Sequence, residues 1–137
     1  MNELENIKKY KTTELSTLPT SELYIKMYEF LLQKLKLSYE ALSKEDMVLF
    51  YNSITKADKM LAILIEMFAV ADETEAAVVD EFITIYISLE KKIGEVLRKK
   101  DQELLSKVIS MIEKLKNMWQ GVIDTMEAKW WSMQLNR

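Results

Sequence analysis

Two carboxylate pairs, Glu45 with Asp46 and Glu73 with Glu75, and two cationic groups, Lys91 with Lys92 and the trio Arg98, Lys99 and Lys100, are the residues whose type and spacing could do chemistry. Paired carboxylates can divide acid and base roles, and clustered cations can hold a polyanion. Both carboxylate pairs, however, stand where helices are expected to begin, and acids there cap the helix and complement its dipole. The cationic trio stands where a helix is expected to end before Asp101, the place where cations do the same for the opposite pole. The chain of 137 residues has no histidine and no cysteine. That removes Ser-His-Asp triads, the Glu-x-x-His ligands of di-iron bundles, thiolate zinc sites and cysteine nucleophiles. Gly94 and Gly121 are isolated, so no glycine-rich loop can cradle phosphate. The expectation is a protein that is not an enzyme, with no cofactor or metal. A net charge of −3 with dispersed basic residues also argues against nucleic acid as a partner.

The elements that carry these residues read as helices throughout. Two glycines and one proline offer too little turn chemistry for a sheet of short strands. Pro19 marks an entry, and Thr20 or Ser21 can cap a first helix over 20–43 with apolar positions Leu23, Met27, Phe30, Leu31, Leu35 and Leu42, joined by Tyr24, Tyr28 and Tyr39. Ser43 and Asp46 have capping-box spacing, which predicts a second helix over 44–71. Asp72 or Thr74 can cap a third over 74–100, and Asp101 a fourth over 102–130, where Leu105, Val108, Ile112, Leu115 and Trp119 recur at three-and-four spacing. Short connections force sequence neighbours to run antiparallel. The predicted fold is therefore all-α, a single-domain up-down-up-down four-helix bundle over 1–137, preceded by a short N-terminal lead at 1–19.

The second helix carries more apolar surface than one buried face needs. KADKMLAILIEMFAVAD, residues 56–72, has one stripe through Ile54, Ala57, Leu61, Leu64, Ile65 and Phe68 and another through Met60, Ile63, Met67 and Val70. A central bundle helix can pack two faces, so this second stripe is open to a core role. On the third helix Val78 and Ile85, with Ile83 and Ile87, also lie off the main stripe. Two neighbouring helices with surplus apolar faces can form a groove, and methionines make such a surface adaptable. The occupant of such a groove would be an amphipathic segment of another protein.

The order of residues over roughly Ile7 to Ile123 resembles the FliS family of flagellar export chaperones. Tyr10 in the lead, then Glu22, Leu23, Met27 and Tyr28, fall at the family's helix-entry positions without a gap. Lys56 and Ala57 match the start of a second-helix segment that departs at Asp58 and Lys59. YISLEKKI keeps Tyr86 and a pair of cations at Lys91 and Lys92, with Ile93 in place of leucine, and Trp119 matches a last-helix tryptophan. Pro19 is one place early, Phe30 stands where a small residue is usual, and the tail KWWSMQLNR extends past the family's usual end. The resemblance implies a four-helix bundle that binds the disordered C-terminal segment of flagellin, prevents premature polymerisation and serves type III export, with export-apparatus components as further partners. It also implies an N-terminal lead that folds back over an apolar site, here through Ile7 and Tyr10. The expected partner-binding residues are accordingly Ile7, Tyr10, Met60, Ile63, Met67, Val78, Ile85 and Tyr86.

MNELENIKKYK has no apolar signal core, and the longest apolar run, MLAILIEMFAVA, is interrupted by Glu66 and falls short of the ~20 residues that span a bilayer. A cytoplasmic protein without membrane insertion is expected. Two rival readings stay open: a bundle that self-associates through its surplus faces, and a regulator that sequesters a different secreted polypeptide.

Overall fold

The computed structural model describes the backbone of residues 18–70 and 76–135, with side chains over 22–67, 83–121 and 124. Within those residues four helices follow one another: α1 (Leu18–Ser43), α2 (Met47–Val70), α3 (Ala76–Lys99) and α4 (Gln102–Leu135). α1 packs on α2 and α4, and α3 on α2 and α4, while among the described residues the diagonal pairs share no backbone seam. This is the antiparallel bundle that the short connections predict.

The helix boundaries show which capping signals the chain uses. Leu18 to Ser21 are already helical, so Thr20 and Ser21 lie within the first turn and do not precede it. Proline at position 19 is tolerated there because first-turn N–H groups have no intrahelical acceptor. At the α1–α2 turn the expected Ser43 cap gives way to Asp46. Ser43 closes α1, its Oγ donating to the Tyr39 carbonyl, and Asp46 Oδ1 accepts the Leu49 N–H at 3.1 Å. The chain reverses through a Schellman arrangement, in which Asp46 N–H reaches the Ala41 carbonyl at 2.9 Å and Glu45 N–H the Leu42 carbonyl at 3.2 Å. That geometry puts Glu45 at φ 55°, a left-handed conformation that an L-residue adopts at a cost. Lys100 repeats it at φ 53° before Asp101 caps α4 through the Leu104 N–H at 3.0 Å.

The cores of the four helices differ in breadth. α3 and α4 each bury a narrow stripe, Tyr86, Leu89, Ile93 and Val96 against Leu105, Val108, Ile112 and Leu115. α1 buries Leu23, Tyr24, Met27, Tyr28, Leu31, Leu32, Leu35, Ser38 and Ala41, and α2 buries Phe50, Ser53, Ile54, Ala57, Met60, Leu61, Ile63, Leu64 and Met67. Among the described residues the α1–α2 seam is the most extensive of the four. Phe30 is partly buried and packs against this core, its ring also carrying the Lys34 ammonium at 5.2 Å. Surface ion pairs such as Lys99 with Glu95 and Lys116 with Glu29 join groups that water still reaches and add little to stability. The polar links between Glu29 and Lys116 and between Tyr39 and Gln102 set the register of α1 on α4. By that register the last turns of α4 run past the start of α1 by roughly 12 Å at 1.5 Å per residue. Trp130 and Trp131 lie on those turns, and their side chains are outside the described residues.

Candidate functional site

The second stripe of α2 is where the sequence places a groove, and its surroundings are visible through one polar contact. Ser53 and Ser38 are buried, and their hydroxyls meet at 2.8 Å across the α1–α2 seam. Met60 and Met67 follow Ser53 at seven-residue intervals, so they share its flank of the helix. Both are buried, as is Ile63. In the chain alone the stripe therefore faces α1 and is interior. Small residues at Ser38, Ala41, Ser53 and Ala57, all buried, accompany the close approach of these two helices.

The third-helix residues divide. Tyr86 is buried, and its hydroxyl is hydrogen bonded to that of Tyr28, reaching from α3 to α1 across the middle of the bundle. Their rings lie 6.4 Å apart between centroids, tilted by 44°. Desolvation raises the Tyr28 phenol well above the ordinary tyrosine range, with a smaller push from Tyr24, and burial raises Tyr24 to about 12. Both phenols stay protonated and neutral at physiological pH. Ile85 is only partly buried. The Lys100 ammonium, over the Tyr51 ring at 5.8 Å, joins the end of α3 to α2, and helical rotation puts Ile85 on the flank opposite Leu97, toward α4. Ile7, Tyr10 and the Val78 side chain lie outside the described residues. The structure thus does not bring Met60, Ile63 and Met67 together with Ile85 on one face. The α1–α2 flank and the α3–α4 flank are different places.

Among the described residues the α3–α4 seam is the most sparsely packed of the four. On α4, Glu113 and Lys116 pair with Lys36 and Glu29 of α1, which fixes that flank as the α1 side. Met111 and Met118, seven residues apart, lie on the opposite flank, toward α3. Met111 is partly buried and Met118 is 59% exposed. With Ile85 they form an apolar margin along a loosely closed seam. Sequence reading missed Met111 and Met118, although their seven-residue spacing off the Leu105–Ile112 stripe was the available signal. Midway along α4, Trp119 stands edge-on to Tyr24 of α1 at 5.3 Å.

Among the described residues no three carboxylate, histidine or cysteine side chains gather as metal ligands. Asp58 has its carboxyl pushed upward by partial burial. A shallow cleft on α3 is lined by Ser88, Glu90, Lys91, Lys92, Gly94, Glu95 and Arg98, and it carries both signs of charge. Within it Lys92 Nζ donates to Ser88 Oγ at 3.1 Å, and Lys99 pairs with Glu95 nearby. Among the described residues no helix is long and apolar enough to cross a membrane.

Comparison with known proteins adds one match. No curated protein matches the sequence closely enough to be counted a relative. A family profile described as flagellar protein FliS matches residues 3–126, which takes in the lead, α1, α2, α3 and α4 up to its last turns. With that span matched and the bundle in place, the chain belongs to the FliS family of flagellar proteins.

Proposed function

We propose that the protein is a cytoplasmic flagellar export chaperone that binds the C-terminal segment of flagellin, keeps it from polymerising early and delivers it to the type III export apparatus. The observation that carries this reading is the family match across the whole bundle. The apolar margin of the α3–α4 seam supplies a physical basis, because a disordered segment that folds on binding needs apolar surface to offset its ordering entropy. The client helix lies along Ile85, Met111 and Met118; Val78 stands seven residues before Ile85 in the sequence. Tyr86 acts from beneath, tying α3 to Tyr28 of α1, and Met60, Ile63 and Met67 hold α2 on α1 at the other flank of the bundle. Ile7 and Tyr10 belong to a lead that covers the apolar site until the client displaces it.

Calorimetric titration with a peptide of about forty residues from the flagellin C-terminus, with helicity followed in parallel, tests the reading. A one-to-one complex with gained helix and a negative heat-capacity change is expected. Met118→Asp should weaken it at least tenfold while leaving the fold intact, and deletion of residues 1–16 should change the affinity. Absence of binding at high micromolar peptide would sink the flagellin assignment. Concentration-dependent mass of the chain alone would then favour a self-associating bundle.

A further inference from the structure

Tyr28 and Tyr86 are joined across a diagonal of the bundle whose two helices share no seam of their own among the described residues. Both rings are fully buried, and the remainder of the core around them is largely aliphatic. Among the described residues α3 has a fuller seam with α2 than with α4. We propose that α3 is a cover hinged along its seam with α2 and latched by the Tyr28–Tyr86 hydrogen bond, and that breaking this bond parts α3 from α4.

The physics runs through burial. If α3 swings outward from α4, the two hydroxyls separate while the α1–α2 seam, with its own paired serines, stays closed. Each phenol then loses this hydrogen bond inside a core built mostly of apolar side chains. The latch therefore disfavours the open form without blocking it. Opening would uncover the inner side of α4 near Val108 and Leu115, both buried in the closed bundle, next to the half-exposed Met111 and Met118. Continuous apolar surface of that kind suits an amphipathic helix. As the route by which a client enters, this rests on the chaperone reading above. The motion itself does not. Tyr28 and Tyr86 are positioning residues here, acting through α3.

The absence of cysteine lets single thiols report each seam. Val108→Cys places one on the buried side of α4, and Ser53→Cys places one in the α1–α2 seam. Labelling by a thiol reagent under native conditions would be timed in each background with and without Tyr86→Phe. The expected result is roughly tenfold faster labelling at position 108, equivalent to about 1.4 kcal/mol, with position 53 changed by less than about twofold. Equal acceleration at both sites would mean that the pair only contributes to global stability, and no acceleration at either would mean that it restrains nothing; each outcome overturns the latch. Tyr28→Phe repeats the test from α1 should Tyr86→Phe fail to fold by circular dichroism. No client is needed, so failure here is separable from failure of flagellin binding. If both readings hold, the flagellin peptide should associate faster with Tyr86→Phe than with the parent chain.

Discussion

Met60 separates a packed second stripe from a client groove more sharply than any other residue. It is 0% exposed on α2, on the flank that Ser53 shares with α1. Met60→Ala would remove three heavy atoms from a filled interior, where methionine-to-alanine truncation costs 2–5 kcal/mol, and about 3 kcal/mol is reasonable for this site. A domain of this size has roughly 5–15 kcal/mol in hand, so the variant should still fold. Its melting temperature should fall by roughly 10 °C, from the usual entropy of unfolding per residue. A urea midpoint lower by about 1.5 M, with unchanged slope, should accompany it for a slope near 2 kcal/mol per molar. Far-UV circular dichroism reads both quantities. Met118→Ala is the matched control, since its side chain is 59% exposed and surface truncations usually stay within about 0.5 kcal/mol. Client titration should reverse the order, with Met118→Ala weakening the complex and Met60→Ala, measured well below its melting point, leaving it nearly unchanged. A Met60→Ala variant that melts like the parent but loses client affinity tenfold would refute the packing argument.

Alkaline pH should expose the cost of the buried phenols. Tyr24 is held protonated up to about pH 12 in the folded chain, whereas an unfolded tyrosine ionises near 10, so its contribution is fully present below pH 10 and lost as pH rises from there through 12. The loss should reach roughly 2–3 kcal/mol from this residue at the top of that window, and Tyr28 steepens it in the same direction. Urea melts from pH 8 to 12, with phenolate absorbance followed alongside, check this; a flat profile for the parent, or an unchanged one in Tyr24→Phe, would contradict it. At the α1–α2 turn, Glu45→Gly should stabilise by up to about 1 kcal/mol because glycine adopts φ 55° without a Cβ clash. A drop in stability in thermal melts of that variant would show that Glu45 contributes more by its side chain than its backbone costs.

The sequence by itself determined the helical class, the antiparallel order and the narrow stripes of α3 and α4. Those stripes repeat at three-and-four spacing on one side only, so Leu89, Ile93, Leu105 and Ile112 announce a single buried face. It also located the α4 cap at Asp101, because an acid just ahead of an apolar-periodic run has few other local roles. At the first turn the sequence pairs Ser43 with Asp46 at capping-box spacing, and the backbone hydrogen bonds of the turn make Asp46 the cap instead. Tertiary structure alone decided what covers α2. Periodicity reports how many sides of a helix are apolar but not which neighbour each side meets; that depends on the handedness with which four helices surround a common axis. Met60 and Met67 could therefore read as a groove until Ser38 was found opposite Ser53. Tyr28 and Tyr86 are 58 residues apart in sequence, and no local pattern links them; only the closing of the bundle brings their hydroxyls together.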